Sequence, residues 1–70
     1  MERSQVYHSD PEILDGLPVF VGTRVPIDTL LTYLQKGKRI EDFIEDFPSV
    51  SREQAEALLV LAKQELVATS

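Results

Sequence analysis

The sequence predicts a mostly helical α+β domain, in which a short N-terminal β-hairpin precedes a three-helix bundle with a helix-turn-helix-like corner. Two observations predict this class. β-forming residues lie between Pro18 and Pro26, and three segments after Pro26 repeat apolar residues at helical spacing. A chain of 70 residues is long enough for one domain. We therefore expect a single domain over residues 1–70, with a β-hairpin arm (1–26) and a helical bundle (27–70).

Gly22 divides the β-forming stretch into arms at residues 18–21 and 23–25. A type I′ turn would place the β-branched Val21 at positive φ, so we expect a type II turn or a bulge with only Gly22 left-handed. A lone hairpin is barely stable in water. Residues 6–8 are therefore expected to add a third strand, from the same chain or, as we favour, from the second chain of a dimer.

The first two helices are predicted over residues 28–36 and 40–47. Asp28 is the expected N-cap of helix 1, and Gly37 the left-handed residue that ends it. Arg39 occupies the expected N-cap position of helix 2 but is not a capping residue. The sequence therefore marks the start of helix 2 less clearly than the other helix ends. The apolar stripes at i, i+3, i+4, i+7 are Ile27, Leu30, Leu31 and Leu34 for helix 1, and Ile40, Phe43, Ile44 and Phe47 for helix 2.

Helix 3 is predicted to begin at Ser51, which forms a capping box with Gln54, and to run to about Ala68. Its expected core stripe consists of Ala55, Leu58, Leu59, Ala62 and Leu66. Further apolar residues on its other faces exceed what a three-helix domain can cover. Helix 3 is thus the predicted protein–protein interface, and small chains commonly gain stability by association. We expect a homodimer or a chain docked on a partner.

Composition excludes several classes of function. The chain has no cysteine and one histidine, so neither a disulfide nor a zinc site is expected. The net charge of −5 argues against general affinity for nucleic acid or membrane and favours a basic partner. No signal peptide or membrane span is visible, and a cytoplasmic location is expected. With no set of nucleophile, base and orienting group in a pocket, we expect neither an enzyme nor a cofactor.

One motif carries a resemblance to a known family. The chain is similar to the bacterial and archaeal family named domain of unknown function 433 over about residues 10–62. The most specific part is Gly16-x-Pro18-Val19-x-x-Gly22-Thr23-Arg24-Val25-Pro26-Ile27. The resemblance implies a small helix-turn-helix-like domain. It also implies a link to PIN-like ribonuclease toxins, because members are often encoded beside one and proposed as its antitoxin.

The pair formed by helix 2 and helix 3 is a candidate DNA reader. In a helix-turn-helix the first residues of the second helix contact bases, and Arg52 and Gln54 suit guanine and adenine edges. Glu53 and Glu56 oppose this use, and a corner kept for packing alone is the alternative. The predicted DNA-binding residues are Arg24, Lys36, Lys38, Arg39, Arg52 and Gln54.

An acidic face is predicted on helix 2. It is either a solvated surface or a docking surface for a basic partner. Its spacing on a straight helix does not build a cation site, so no metal is expected. The predicted partner-binding residues combine this face with apolar residues of helix 3: Glu41, Asp42, Glu45, Asp46, Val60, Leu61 and Val67.

The role of Thr23-Arg24 stays open between two interpretations. In one, the Thr23 side chain forms hydrogen bonds with backbone groups of the turn, and Arg24 forms an ion pair with Asp10 or Asp15. In the other, Arg24 reaches a phosphate or the carboxylates of a partner. For the whole chain the leading hypothesis is a non-catalytic antitoxin-like module that binds a PIN-like toxin, with its own operator DNA as a further candidate ligand. The alternatives are a DNA-binding transcriptional regulator and a structural homodimerisation domain.

Overall fold

The computed structural model describes residues 2–68, which form four α-helices, two short strands and one 3₁₀ turn. This arrangement confirms the predicted mostly helical α+β class. The elements in chain order are α1 (Arg3–Val6), β1 (Tyr7–His8), a 3₁₀ turn (Leu14–Gly16), β2 (Val19–Phe20), α2 (Ile27–Gln35), α3 (Ile40–Asp46) and α4 (Arg52–Ala68). The short helix α1 was not predicted.

The two strands pair antiparallel, with Tyr7 opposite Phe20. The expected third strand therefore pairs within the chain, and the preference for a sheet shared across a dimer was wrong. The predicted second arm, residues 23–25, is also not a strand. It is represented by a single bridge between Val19 and Pro26, because the arm is short and Pro26 has no backbone N–H to extend a ladder.

The turn at Gly22 has the predicted geometry. The Thr23 N–H donates to the Phe20 carbonyl at 3.0 Å, and Gly22 has φ +80°. A left-handed third residue in a hydrogen-bonded four-residue turn is the type II pattern. The Phe20 N–H then donates to the Val25 carbonyl at 2.9 Å, so the chain folds back on itself around residues 21–24.

Helix α2 begins one residue earlier than predicted. Pro26 occupies the N-cap position and Asp28 lies inside the first turn without a capping hydrogen bond, so the prediction of Asp28 as N-cap was wrong. Its carboxylate still lies near the positive end of the helix dipole. The C-terminus is as predicted: Gly37 has φ +81°, and the Lys38 N–H donates to the Tyr33 carbonyl at 2.9 Å in a Schellman motif.

Both later helices start with a hydrogen bond from the N-cap backbone N–H to the side chain three residues further on. At α3, which begins at Ile40 as predicted, the Arg39 N–H donates to Asp42 Oδ2 at 2.9 Å. At α4 the Gln54 N–H donates to Ser51 Oγ at 3.0 Å, and the Ser51 N–H donates to Gln54 Oε1 at 3.2 Å. The predicted capping box of helix 3 is therefore confirmed.

The hydrophobic core joins the N-terminal arm to the helices. The Phe43 ring lies 5.9 Å from the Phe20 ring and 5.5 Å, edge-on, from the Tyr33 ring, measured between centroids. Such tilted and edge-on pairs are the favoured geometries for aromatic rings. The core cluster of fully or almost fully buried residues is Val6, Phe20, Leu30, Phe43, Val50, Ala55 and Leu58.

The C-terminal part of α4 extends beyond this core. A helix of 17 residues is about 25 Å long, whereas the nine residues of α2 span about 13 Å and the seven of α3 about 10 Å. Leu66 is therefore 72% exposed, and its prediction as a core residue was wrong. Leu31, predicted on the core stripe of helix 1, is also exposed.

Candidate functional site

The outward face of α4 carries exposed apolar side chains. Val60 is 54% exposed and Val67 is 63% exposed, and both line a shallow depression of about 450 Å³ with Lys63 and Gln64. Residues 60, 63, 64 and 67 share one helix face because they are three or four positions apart. This face points away from the buried residues Ala55 and Leu58.

A second apolar surface lies between α2 and α4. Leu61 lies here with Ile27, Leu31 and Leu58 in a groove of about 310 Å³. An adjoining depression of about 430 Å³ shares Ile27 and Leu31 and continues over Leu17. The predicted partner residues Val60 and Leu61 thus lie on different surfaces, since successive helix residues are about 100° apart. Sequence reasoning missed Leu17 and Leu31 as surface residues.

The four predicted acidic residues of α3 are exposed, and three of them make structural contacts. Asp42 accepts the Arg39 N–H at the start of the helix. Asp46 Oδ2 accepts the Tyr33 hydroxyl at 2.7 Å, and this hydrogen bond is the main cause of the raised pKa of Tyr33. A carboxylate accepting from the neutral phenol disfavours loss of the phenolic proton. Glu45 is exposed on the same helix.

Glu41 links α3 to α4. Arg52 donates from Nη2 to Glu41 Oε1 at 2.6 Å and from Nη1 to Glu56 Oε1 at 3.3 Å. The hydrogen bond from Arg52 lowers the pKa of Glu41 below its ordinary value, because it stabilises the charged carboxylate. All three side chains are about half exposed. Arg52, predicted as a DNA contact, is thus engaged by two carboxylates.

Gln54, the other predicted base reader, is engaged at both ends of its side-chain amide. Oε1 accepts the Ser51 N–H in the capping box, and Nε2 donates to the Val21 carbonyl at 3.1 Å. The second bond joins α4 to the type II turn across 33 positions of sequence. Sequence spacing indicated the first bond and gave no signal for the second.

The predicted basic corner lies between α2 and α3. Lys36, Lys38 and Arg39 are exposed, and none of them forms an ion pair with another residue in the part of the chain that the structure describes. The Schellman motif at Gly37 places the two lysines around the end of α2, where cations complement the helix dipole. The corner keeps its positive charge available to solvent.

Thr23 and Arg24 differ in their contacts. Thr23 Oγ1 donates to the Phe20 carbonyl at 2.9 Å and accepts the Val25 N–H at 3.0 Å. The backbone role predicted for Thr23 is therefore confirmed. The exposed side chain of Arg24 forms no ion pair within residues 2–68, so the expected bridge to Asp10 or Asp15 does not form.

Residues 2–68 lack the features of two other classes of site. Three or more His, Asp or Glu side chains do not come together in an arrangement that could hold a metal ion. None of the helices in this range has both the length and the apolar content that crossing a bilayer requires.

These features define a small, mostly helical α+β domain whose last helix keeps apolar side chains at the surface. The chain belongs to the family described as Protein of unknown function (DUF433), whose model matches residues 8–62. It is also 32% identical over 59 residues to the uncharacterized protein y4eO of Sinorhizobium fredii. That match covers 84% of this chain and 27% of the relative, so the chain spans about a quarter of the relative's length. No solved structure matches.

Proposed function

We propose that this chain is a non-catalytic, antitoxin-like module that binds a PIN-like ribonuclease toxin. The observation that carries the proposal is the exposed apolar face of α4, at Val60 and Val67. Exposed apolar surface of this kind is a feature of protein interaction sites. The identity of the partner comes from the family resemblance, because members are often encoded beside such a toxin.

The charges of the chain support a protein partner with a basic surface. The net charge is −5, and the acidic face of α3 is exposed. Within residues 2–68, Glu45 makes no hydrogen bond or ion pair like those of Glu41, Asp42 and Asp46, so it can meet a cation without breaking one. Complementary charge raises the association rate more than the affinity. In this proposal α4 supplies the affinity and α3 the steering.

Co-expression with the product of the neighbouring gene, which the proposal expects to be a PIN-like ribonuclease, tests the proposal. We expect the wild-type chain to relieve growth inhibition and to co-purify with the ribonuclease. A chain with Val60→Lys and Val67→Lys should do neither, since two charges would enter the apolar contact. A chain with Lys36→Gln and Lys38→Gln is the matched control, with the same number of exposed substitutions. Toxicity unchanged by the wild-type chain would contradict the proposal.

A second candidate function is binding of operator DNA. The basic corner favours it, because Lys36, Lys38 and Arg39 are exposed and lack an internal ion pair among the described residues. Such a cluster can contact backbone phosphates without reading bases. A gel-shift assay on the DNA upstream of the gene tests it at low and high salt. Absence of retardation even at about 50 mM salt would remove this candidate.

A further inference from the structure

A shallow cleft of about 580 Å³ opens beside the Gly22-Thr23-Arg24 turn. The turn forms one wall, and the end of β1, the segment before the 3₁₀ turn and the loop between α3 and α4 form the others. Its walls include His8, Ile13, Thr23, Arg24, Val25 and Ser49. None of the lining residues is acidic, although 12 of the 70 residues of the chain are Asp or Glu. The cleft is therefore a region of positive and neutral groups on an acidic molecule.

The backbone that carries Arg24 is fixed on both sides. Thr23 Oγ1 bonds to the Phe20 carbonyl and to the Val25 N–H. From the other direction, Gln54 of α4 donates to the Val21 carbonyl. A turn held by these bonds loses little backbone entropy when a ligand binds to it, so the backbone position of Arg24 is set in advance.

The side chain of Arg24 is not used in the fold. It is exposed, and within the described residues 2–68 it forms no ion pair. Arg3 and Arg52, in contrast, pair with carboxylates of the same chain. A guanidinium offers a planar pair of N–H donors that matches one carboxylate.

We infer that this cleft binds a peptide segment of a partner protein through a carboxylate side chain flanked by an apolar residue. Arg24 binds the carboxylate, and Ile13 and Val25 contact the apolar neighbour. This site goes beyond the proposed function, because it does not include the α4 face. It also binds an acidic group, whereas the acidic face of α3 is proposed to meet a basic surface. Nucleic acid suits it less well, since backbone recognition needs several cations and the chain carries a net charge of −5.

An NMR titration of the full chain tests the site with a defined probe. The probe is the peptide acetyl-Leu-Asp-Leu-amide, and its control is acetyl-Leu-Asn-Leu-amide, which has the same shape without the charge. We expect the acidic peptide, at millimolar concentration, to shift the Arg24 Nε–H signal and the backbone amides of residues 22–25 in a saturable way. The Asn peptide should leave them unchanged. Equal shifts with both peptides, or no saturable shift, would overturn the inference.

Variants distinguish specific binding by Arg24 from a general effect of positive charge. Arg24→Gln should weaken binding of the acidic peptide by about tenfold or more, and Arg24→Lys by less, because lysine keeps the charge and loses the paired donors. Arg3→Gln is the matched control, an exposed arginine outside the cleft, and should bind as the wild type does. Unchanged binding in Arg24→Gln would overturn the inference. Shifts at Arg24 with duplex DNA that exceed those with the peptide would also overturn it, in favour of a phosphate site.

Discussion

A single amide side chain, Gln54, connects the start of α4 to the Gly22-Thr23-Arg24 turn. It caps α4 through Ser51 and holds the Val21 carbonyl of the Gly-Thr-Arg turn. Reading an adenine edge with this side chain would require releasing both bonds. Its position at the start of a second helix suggested a base reader, whereas its contacts make it a brace for the turn that presents Arg24.

Replacing Gln54 should loosen the turn in a way that depends on the substitute. Gln54→Ala removes both bonds and should lower the free energy of unfolding by about 1–3 kcal/mol, since each neutral bond contributes about 1 kcal/mol. Gln54→Glu keeps the acceptor for Ser51 but loses the donor to Val21. It should therefore retain the cap and still speed amide exchange at Thr23 and Val25.

Chemical denaturation and hydrogen exchange of the two variants measure these effects. Protection of Thr23 and Val25 that is the same in Gln54→Glu as in the wild type would show that the bond to Val21 does not hold the turn. A fall in stability of Gln54→Glu equal to that of Gln54→Ala would show that the capping bond contributes little.

Gly37 is required for its backbone conformation rather than for space. It has φ +81°, and a Cβ placed there would meet nothing within 4 Å. Gly37→Ala should therefore lower the free energy of unfolding by about 1–2 kcal/mol, which is the cost of the left-handed conformation for a residue with a Cβ. Gln35→Ala, at an exposed position of α2, is the control, with an expected change within about 0.5 kcal/mol. Denaturant unfolding curves of both variants provide the comparison, and equal midpoints would contradict it.

At the scale of elements, α3 and α4 are joined at the surface by Glu41 and Arg52, in addition to their buried contacts. The ordinary pKa of the Glu41 carboxyl is near 4.5, and the bond from Arg52 lowers it in the folded chain. Because the pKa of Glu41 is lowered in the folded chain, its bond to Arg52 contributes to stability. That contribution is fully present above the ordinary pKa and is lost as the pH falls through the pKa of the folded state.

Glu41→Gln should therefore reduce stability at neutral pH and have less effect in acid. We expect the difference in free energy of unfolding between wild type and variant to be small, since the pair is exposed, and to shrink as the pH falls below about 4. Added salt should also reduce it at neutral pH. Glu45→Gln, on the same helix, is the control. A difference that stays constant from neutral pH to acid would contradict this account of the contact.

The three longer helices could be predicted from local signals, whereas α1, the strand pairing and several surface residues could not. Apolar spacing and end signals such as Gly37 and Ser51 act within a few residues, so α2, α3 and α4 lie close to their predicted bounds. Strand partners are distant in sequence, and nothing local showed that β2 would pair with β1 rather than with residues 23–25. The exposure of Leu66 depends on how far the neighbouring helices extend, which periodicity does not reveal.

The candidate sites were only partly predictable for the same reason. Exposure of the acidic α3 face and of Val60 and Val67 follows from helical spacing. The partners of Glu41, Asp46 and Gln54 lie 11 to 33 positions away. A polar residue on a helix surface thus cannot be assigned to binding or to structure until those distant contacts are known.

The whole molecule separates its surface chemistry by region. The apolar side chains of α4 and of the groove at Leu31 and Leu61 are distinct from the acidic face of α3 and from the basic corner at Lys36 and Lys38. A domain of 70 residues buries only about 60% of its unfolded surface, so binding of a partner adds stability that its own core does not supply. We propose that the outward face of α4 is covered by a partner protein.

Calorimetric titration of the chain with the product of the neighbouring gene, proposed to be a PIN-like ribonuclease, tests this claim most directly. The wild type should form a stoichiometric complex with a negative heat-capacity change, which marks burial of apolar surface. Val60→Lys together with Val67→Lys should weaken it at least tenfold while the chain stays folded, and Lys36→Gln with Lys38→Gln should leave it unchanged. A complex of wild-type affinity in the double-lysine variant, or no complex with the wild type, would contradict the claim.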